Sequence, residues 1–244
     1  GNATRLWPLT KGTPKAQLPI AGKPILNHII EKLQAIQPHL SPIIVSTNML
    51  FQPQFESWLS MSGYRDIMLI PDYASNETEK PGAIKAMANI MSLLPQDDVL
   101  VIAGDGMFND DLTGFVAAFM DKKESFVAVY EVKTLEDAKR CATIKTGTGG
   151  RILEFIEKPV EPKTKKVCGA VYLFKKGITQ QLSEYIASKM SADQPGSFIQ
   201  WLHTQQPVYG YNLKDALQDI GTYDAYRACD EYFSKHGLIY EAQR

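Results

Sequence analysis

Apolar and polar residues follow two repeating patterns along the first half of the chain, one typical of amphipathic helices and one of short buried strands. Helix-like spacing, with apolar residues three and four positions apart, occurs over 25–36, 51–61, 112–120 and after Gly82. Short apolar runs bounded by turn residues lie between these segments, over 42–46, 66–70, 98–103 and 125–132. Because helices and strands alternate at the spacing of βα units, the pattern predicts a doubly wound, mostly parallel α/β sheet.

The second half of the chain predicts a mixed, more β-rich arrangement. Residues 142–145 and 152–156 are apolar segments joined by Gly149-Gly150, which is typical of a β-hairpin. Further strands are predicted over 167–174 and 208–213, and helices over 178–190, 198–203 and 223–235. Because nothing in the sequence marks a linker, the 244 residues predict a single domain with halves at about 1–135 and 136–244.

Composition and charge argue against several classes of function. Hydrophobic residues make up 44% of the chain and charged residues 22%, and the formal net charge is -1. This balance gives no electrostatic case for binding nucleic acid or an anionic membrane. No apolar run approaches the roughly 20 residues of a membrane span. Cys141, Cys168 and Cys229 form neither CxxC pairs nor a disulfide pattern, which favours a reducing cytoplasm.

The first 24 residues, GNATRLWPLTKGTPKAQLPIAGKP, contain the residue types that hold a polyphosphate. Small residues over 1–3 let main-chain amides approach a ligand closely, and Arg5 and Lys15 supply two cations. The alternative is a surface loop with ordinary charged residues. Because Arg5 and Lys15 lie among apolar residues and prolines, we expect a packed rim to fix their head groups.

This segment resembles the signature loop of the sugar-phosphate nucleotidyltransferases (nucleotide-sugar pyrophosphorylases), GxGTRLxPLT followed by PKxLLPVxGKP. The resemblance, which extends to glucose-1-phosphate thymidylyl- and uridylyltransferases, implies a Rossmann-like, GT-A-like fold. It implies that the first half of the chain binds the nucleotide and the second half the sugar phosphate. The matching arginine and lysine, Arg5 and Lys15, are then catalytic. In the family the matching arginine and lysine bind the nucleotide phosphates and offset charge in the transition state. The loop residues expected to bind nucleotide are Gly1, Asn2, Ala3 and Thr4.

Two departures accompany this resemblance. Ala3 stands where the family has its second glycine, so a methyl group is expected to tighten the loop or shift the phosphate. In the family the loop follows a buried first strand, whereas this sequence starts on the loop. We therefore expect a strand to precede Gly1, because a sheet without it would expose unpaired edges.

Two aspartates are candidate metal ligands. Asp105 follows the apolar run 98–103, and ligands of open α/β sheets collect at the carboxyl ends of strands; the alternative is a turn aspartate. Asp219, in LQDIGTYDAYRAC, resembles the family segment W-x-D-x-GT-x-x-x-Y. Its alternative is a helix cap, although Thr222 is an equally plausible cap. The resemblance implies that both carboxylates hold Mg²⁺ together with phosphate oxygens.

The sequence Glu157-Lys158-Pro159 matches the EKP motif of the family. The resemblance implies that Glu157 accepts hydrogen bonds from sugar hydroxyls and that Lys158 faces the sugar phosphate. The alternative is an exposed Glu-Lys pair of no special role. Gly169, in CGAVYLF, corresponds to the small residue before the strand that lies against the sugar.

The candidate base pocket departs most from the family pattern. The family often has a glutamine five residues before the glycine of a G-x-A-x-A segment, and here that glycine is Gly82 and the position is Glu77. A carboxylate only accepts hydrogen bonds, whereas an amide also donates. We therefore expect Glu77, with Pro81 and Gly82, to contact the base and to change the nucleotide preference relative to thymidylyl and uridylyl relatives.

These features predict a magnesium-dependent enzyme that transfers a nucleotidyl group from a nucleoside triphosphate to a sugar 1-phosphate. Its expected partners are these two substrates, with a homo-oligomer left open, and its expected location is the cytoplasm. One alternative is transfer to a non-sugar phosphate acceptor, phosphocholine-like or phosphoinositol-like. Another is a non-catalytic regulatory homologue that binds nucleotide sugars. Release of pyrophosphate distinguishes an enzyme from a binder.

Overall fold

The structure is a computed structural model that describes residues 3–36, 40–72, 82–215 and 217–238. Short 3₁₀ turns lie at Thr4–Leu6 and Lys15–Gln17. The α-helices are α1 (Ile25–Gln34), α2 (Gln52–Ser62), α3 (Ala83–Ser92), α4 (Thr113–Lys122), α5 (Leu135–Ala138), α6 (Ile178–Ala187), α7 (Pro195–Gln205) and α8 (Tyr223–His236).

The β-strands alternate with these helices over much of the chain. They are β1 (Pro19–Ile20), β2 (Lys23–Pro24), β3 (Ile43–Asn48), β4 (Ile67–Asp72), β5 (Val99–Ile102), β6 (Gly106–Met107), β7 (Ser125–Glu131), β8 (Ala142–Thr146), β9 (Ile152–Ile156), β10 (Lys166–Phe174), β11 (Val208–Asn212) and β12 (Gln218–Asp219). The helices and strands predicted from the sequence are present with small shifts of their ends. The two-residue strands and the short α5 were not predicted.

The chain divides into two compact units. The first unit comprises Gly1–Lys80, Gly104–Thr113 and Leu217–Arg244, and the second comprises Pro81–Ala103 and Gly114–Ala216. Each unit is therefore built from segments that are distant in sequence. The prediction of one domain with halves that meet near residue 135 stays a prediction.

In the first unit, β3 and β4 pair in parallel, and α1 and α2 contribute to the core beside them. The apolar stripe predicted from the spacing of α1 is buried here, with Leu26 and Ile30 packed in one cluster with Phe55 and Trp58. The Trp58 indole Nε1 donates to Asn27 Oδ1 at 2.8 Å, which satisfies a polar group within this cluster.

A short hairpin, β1–β2, follows the Lys15 turn in the first unit. Its two turn residues, Ala21 and Gly22, have φ of 48° and 80°, as a type I′ turn requires. Two residues of α8 hold this hairpin: Ala21 N donates to Asp230 Oδ1 at 2.7 Å, and the Tyr226 hydroxyl donates to Pro19 O at 2.7 Å. The sequence analysis places residues 19–24 in the loop motif and predicts no hairpin there.

The second unit contains a six-stranded mixed sheet in the order β11-β7-β10-β8-β9, with β5 also paired to β10. The α/β class is confirmed, and the mixed strand directions agree with the mixed, β-rich arrangement predicted for the second half of the chain. Strand β10 runs antiparallel to β5, β7 and β8, whereas β11 is parallel to β7. Strand β10 lies between β7 and β8 and pairs antiparallel with both, so β7 and β8 run in the same direction.

Helices α3, α6 and α7 cover this sheet through a large apolar cluster. Ile84, Leu182 and Phe198 are completely buried in it. The predicted glycine-turn hairpin is confirmed as the antiparallel pair β8–β9. Within the described ranges, every helix is too short or too polar to span a lipid bilayer.

Candidate functional site

Lys15 lies between two carboxylates in the first unit. Its Nζ is 3.1 Å from Asp105 Oδ2 and 3.6 Å from Asp219 Oδ1. The Lys15 side chain is 11% exposed, whereas the side chains of Asp105 and Asp219 are 60% and 78% exposed. A shielded ammonium thus meets two carboxylates that remain open to solvent and to ligands.

The two aspartates converge because β6 and β12 pair antiparallel, with Asp219 opposite Gly106. Both carboxylates contact the same nitrogen atom, so the contacting oxygens are separated by no more than the sum of the two distances, which is under about 7 Å. The sequence predicted this convergence from strand ends at one sheet edge. The predicted proximity is correct, but its cause is the β6–β12 pair, in which Asp219 lies within a strand.

The segment after β6 is held by a buried lysine of α1. Lys32 is 2% exposed, and its Nζ donates to Asn109 O and Asp110 O, each at 3.1 Å. A buried ammonium requires such compensation, because an unpaired charge in the interior is costly. Lys32 therefore fixes the chain just beyond Asp105.

The pair Asp105 and Asp219 fits the ligand preference of a magnesium ion. Mg²⁺ takes oxygen ligands and is usually held by one or two carboxylates together with water or phosphate oxygens. Within the described ranges, no group of three or more His, Cys, Asp and Glu residues could hold a metal ion. The remaining ligands would then be water or substrate oxygens, and magnesium binding stays a prediction.

The N-terminal loop is pinned from inside through Ala3. The Ala3 carbonyl oxygen accepts from Thr10 Oγ1 at 2.8 Å and from Leu6 N at 2.9 Å, and Thr10 is buried. The expected packed rim is present for Lys15, whereas Arg5 is exposed. Thr4 is also exposed at the start of the 3₁₀ turn. Gly1 and Asn2 lie outside the described residues.

Ala3 adopts a left-handed backbone conformation with φ of 44°. This conformation costs an L-residue roughly 1–2 kcal/mol relative to glycine, although glycine loses more entropy on folding. We expect Ala3→Gly to raise the free energy of unfolding by up to about 1 kcal/mol. Urea denaturation measures this change.

Ala35→Gly is the matched control for this substitution. Ala35 is exposed to solvent whereas Ala3 is half-buried, and the φ of Ala35 is -66°. Glycine there should lower the free energy of unfolding, because it adds chain entropy to the unfolded state without relieving strain. If Ala3→Gly and Ala35→Gly change the free energy of unfolding equally, the assignment of strain to Ala3 is contradicted.

Glu157 and Lys158 lie together in the second unit at the end of β9. Glu157 N donates to Gln200 Oε1 at 2.8 Å. With the Gln194 amide oriented so that its nitrogen faces Glu157, Gln194 donates to Glu157 Oε1 at 2.7 Å and accepts from Lys158 Nζ at 3.2 Å. Gln194 and Gln200 were missed by sequence reasoning, because neutral amides distant in sequence carry no motif.

Burial raises the pKa of the Glu157 carboxyl, and the nearby Lys158 ammonium opposes this effect. A raised pKa means that the ionised form is less favourable in the folded protein than in the unfolded chain. Stability from this group is therefore present at low pH and lost as the pH rises through the folded pKa. We expect Glu157→Gln to be more stable than the natural protein at neutral pH.

This difference in unfolding free energy should shrink as the pH falls through the raised pKa of Glu157. Urea melts between pH 4 and 8 measure it. Glu154→Gln, at an exposed position in β9 three residues before Glu157, is the control for loss of a charge. If Glu157→Gln raises the free energy of unfolding by the same amount at every pH, the burial argument is contradicted.

Two candidate glycines have structural roles in the second unit. Gly169 is buried in β10, where the pairing register with β7 shifts between Cys168 and Tyr172. Gly82 has φ of 82°, and a Cβ there would lie 2.5 Å from Ala192 O. Glycine is therefore required at 82 by backbone packing, whatever it contacts in a ligand. Glu77 and Pro81 lie outside the described residues.

Comparison with known proteins finds related sequences and one matching family model. A protein-family model described as "Nucleotidyl transferase" matches residues 1–235. The chain is 29% identical over 221 residues to the bifunctional protein GlmU of Methanocaldococcus jannaschii, with 91% of this chain and 49% of the relative covered. It is 27% identical over 175 residues to the UTP–glucose-1-phosphate uridylyltransferase AglF of Haloferax volcanii, covering 71% of this chain and 68% of the relative.

Solved structures agree on the fold. The crystal structure of a UDP-glucose pyrophosphorylase complexed with UDP-glucose superimposes with a TM-score of 0.79 at 19% identity, covering 96% of this chain and 95% of that chain. At this identity the likeness shows the fold alone. The chain spans about half the length of the first GlmU relatives that it matches.

Proposed function

The chain belongs to the nucleotidyl transferase family, and we propose that it transfers a nucleotidyl group from a nucleoside triphosphate to a sugar 1-phosphate, giving an NDP-sugar and pyrophosphate. The observation that carries this proposal is the position of Lys15 between Asp105 and Asp219. Lys15 lies in the N-terminal loop motif, Asp105 follows the strand 98–103, and Asp219 lies in the segment LQDIGTYDAYRAC. Each of these positions resembles the family pattern. Relatives named as uridylyltransferase and guanylyltransferase support the same reaction class.

The proposed reaction needs no nucleophilic side chain. A phosphate oxygen of the sugar 1-phosphate attacks the α-phosphorus and forms a new P–O bond, while the bond from the α-phosphorus to the bridging oxygen breaks. That oxygen leaves with the electron pair as part of pyrophosphate. Catalysis of such a transfer depends on positioning and on stabilising negative charge. Lys15 supplies a shielded ammonium for this purpose, and the exposed Arg5 supplies a guanidinium that can reach a phosphate.

We assign Asp105 and Asp219 as the residues that would hold Mg²⁺. When bound, this ion would supply positive charge next to the phosphates. Asp105 and Asp219 provide anionic oxygens in a position where the chain already accommodates a cation, the Lys15 ammonium. The choice of Mg²⁺ over another divalent ion is part of the proposal.

We assign Glu157 and Lys158 to the acceptor substrate. The Glu157 carboxylate can accept hydrogen bonds from sugar hydroxyls, and the Lys158 ammonium can face the sugar phosphate. In the nucleotide site, the assignment of Gly1, Asn2, Ala3 and Thr4 to the phosphates, and of Glu77, Pro81 and Gly82 to the base, rests on the family resemblance.

A substrate screen tests the proposed function. The four ribonucleoside triphosphates and thymidine triphosphate are each incubated with Mg²⁺ and with a panel of hexose 1-phosphates, and pyrophosphate release is measured. We expect release that requires both substrates. Release with phosphocholine but with no sugar 1-phosphate, or binding of triphosphate without any release, would contradict the proposal.

A further inference from the structure

The side chain of Gln194 connects Glu157 to Lys158. Its amide nitrogen donates to Glu157 Oε1 at 2.7 Å and its amide oxygen accepts from Lys158 Nζ at 3.2 Å. The opposite orientation of the amide would place oxygen against oxygen and nitrogen against nitrogen. One neutral side chain therefore satisfies a carboxylate and an ammonium at the same time, and it fixes their separation.

Two other residues of this region restrict Glu157 from different directions. The Gln200 side chain accepts from the main-chain nitrogen of Glu157 at 2.8 Å. The Glu157 carboxylate also packs directly on Gly196, where a Cβ would collide with Oε2. Gln194 directly precedes α7, and Gly196 and Gln200 lie within it, so one helix region contacts both the backbone and the carboxylate of Glu157.

Helix α7 is a rigid support for these contacts. Phe198, Ile199 and Leu202 are completely buried in the apolar cluster of the second unit. Gln194 itself is half-buried and lies directly before α7, and Gln200 is exposed. Because the core anchors the helix through other residues, a change at Gln194 should alter the Glu157–Lys158 pair without unfolding the unit.

We propose that Gln194 is a positioning residue for the acceptor site, which holds the Glu157 carboxylate and the Lys158 ammonium in the arrangement that binds the sugar 1-phosphate. The inference rests on the proposed function, since it takes Glu157 and Lys158 as acceptor ligands. Gln194 acts through these two residues. It should therefore affect affinity for the sugar phosphate and leave affinity for the nucleoside triphosphate unchanged.

The test substitutes Gln194→Met, which keeps the length of the side chain and removes both hydrogen bonds. We expect the KM for sugar 1-phosphate to rise about 10-fold, as for the loss of a hydrogen bond to a charged group. The KM for triphosphate should stay within about twofold. A second variant, Gly196→Ala, places a methyl group against Oε2, the other oxygen of the Glu157 carboxylate, and should raise the same KM.

Gln180→Met is the matched control. Gln180 also donates to a glutamate, Glu184 Oε1 at 2.9 Å, but on the exposed surface of α6. It should leave both KM values unchanged. Circular dichroism and thermal melting of each variant show whether it is folded at the assay temperature.

The pKa of Glu157 gives a second test that does not depend on catalysis. Carbon-13 NMR titration of the Glu157 carboxyl should show a higher pKa in Gln194→Met, because a hydrogen bond to the ionised form has been removed. An unchanged acceptor KM in a folded Gln194→Met protein would overturn the inference, and so would an equal rise in the triphosphate KM. Failure of the natural protein to release pyrophosphate from any substrate pair would instead overturn the proposed function.

Discussion

Asp105→Asn and Asp219→Asn are each expected to lower kcat at least about 100-fold while the protein stays folded. Each substitution removes one of the two negative charges that converge on Lys15, and with it an anionic oxygen for the proposed Mg²⁺ ion. The fold should be unaffected because both side chains are mostly exposed. Pyrophosphate release at saturating substrates measures the loss.

The double variant should be little worse than either single variant, because two residues that act as one unit give non-additive effects. Asp111→Asn is the control, since it lies six positions beyond Asp105 and its side chain accepts from Thr113 N at 2.8 Å, a bond that asparagine can retain. Full activity in either Asp105→Asn or Asp219→Asn would refute the shared role of the two carboxylates.

Lys15→Met is expected to lower kcat/KM for the triphosphate about 1,000-fold and, in the absence of nucleotide, to strengthen Mn²⁺ binding. The first effect follows from the loss of a shielded positive charge opposite the phosphates. The second follows because the ammonium lies between the two carboxylates and competes with any other cation for them. Without Lys15 the carboxylates repel each other, and a divalent ion relieves that repulsion.

Electron paramagnetic resonance of Mn²⁺ with the nucleotide-free protein measures the second effect independently of turnover. Lys11→Met removes an exposed lysine four positions away in the same loop and should change neither quantity. Weaker Mn²⁺ binding in Lys15→Met would show that the ammonium supports the metal site rather than competing for it.

The sequence predicts most helices and strands because buried positions are mostly apolar, so the pattern of apolar residues shows where they lie. In β7 the six residues Ser125–Tyr130 are all buried, and five of them are apolar or aromatic. The pattern of apolar residues does not indicate the direction of a strand. Whether β10 runs parallel or antiparallel to its neighbours depends on which distant strands it pairs with, and the apolar run over 167–174 is compatible with either direction.

For the candidate site, residue types were easier to predict than the contacts that place them. Lys15, Asp105 and Asp219 were identified from motifs, but the β6–β12 pair that joins the aspartates is two residues long on each side and shows no periodicity. Gln194 was not predicted, because its role depends on contact with residues more than thirty positions earlier. The strand before Gly1 and the role of Glu77 stay predictions.

The hairpin that follows Lys15 has a consequence for how the protein is made. Its turn is bonded to α8 across 209 positions of sequence, from Ala21 to Asp230. During synthesis the hairpin leaves the ribosome about 200 residues before the helix that supports it. Contacts of such long range form slowly, because the intervening chain must be ordered before they stabilise anything. A nascent chain without α8 should therefore contain Lys15 and Asp105 yet lack the two hydrogen bonds that hold the hairpin next to Lys15.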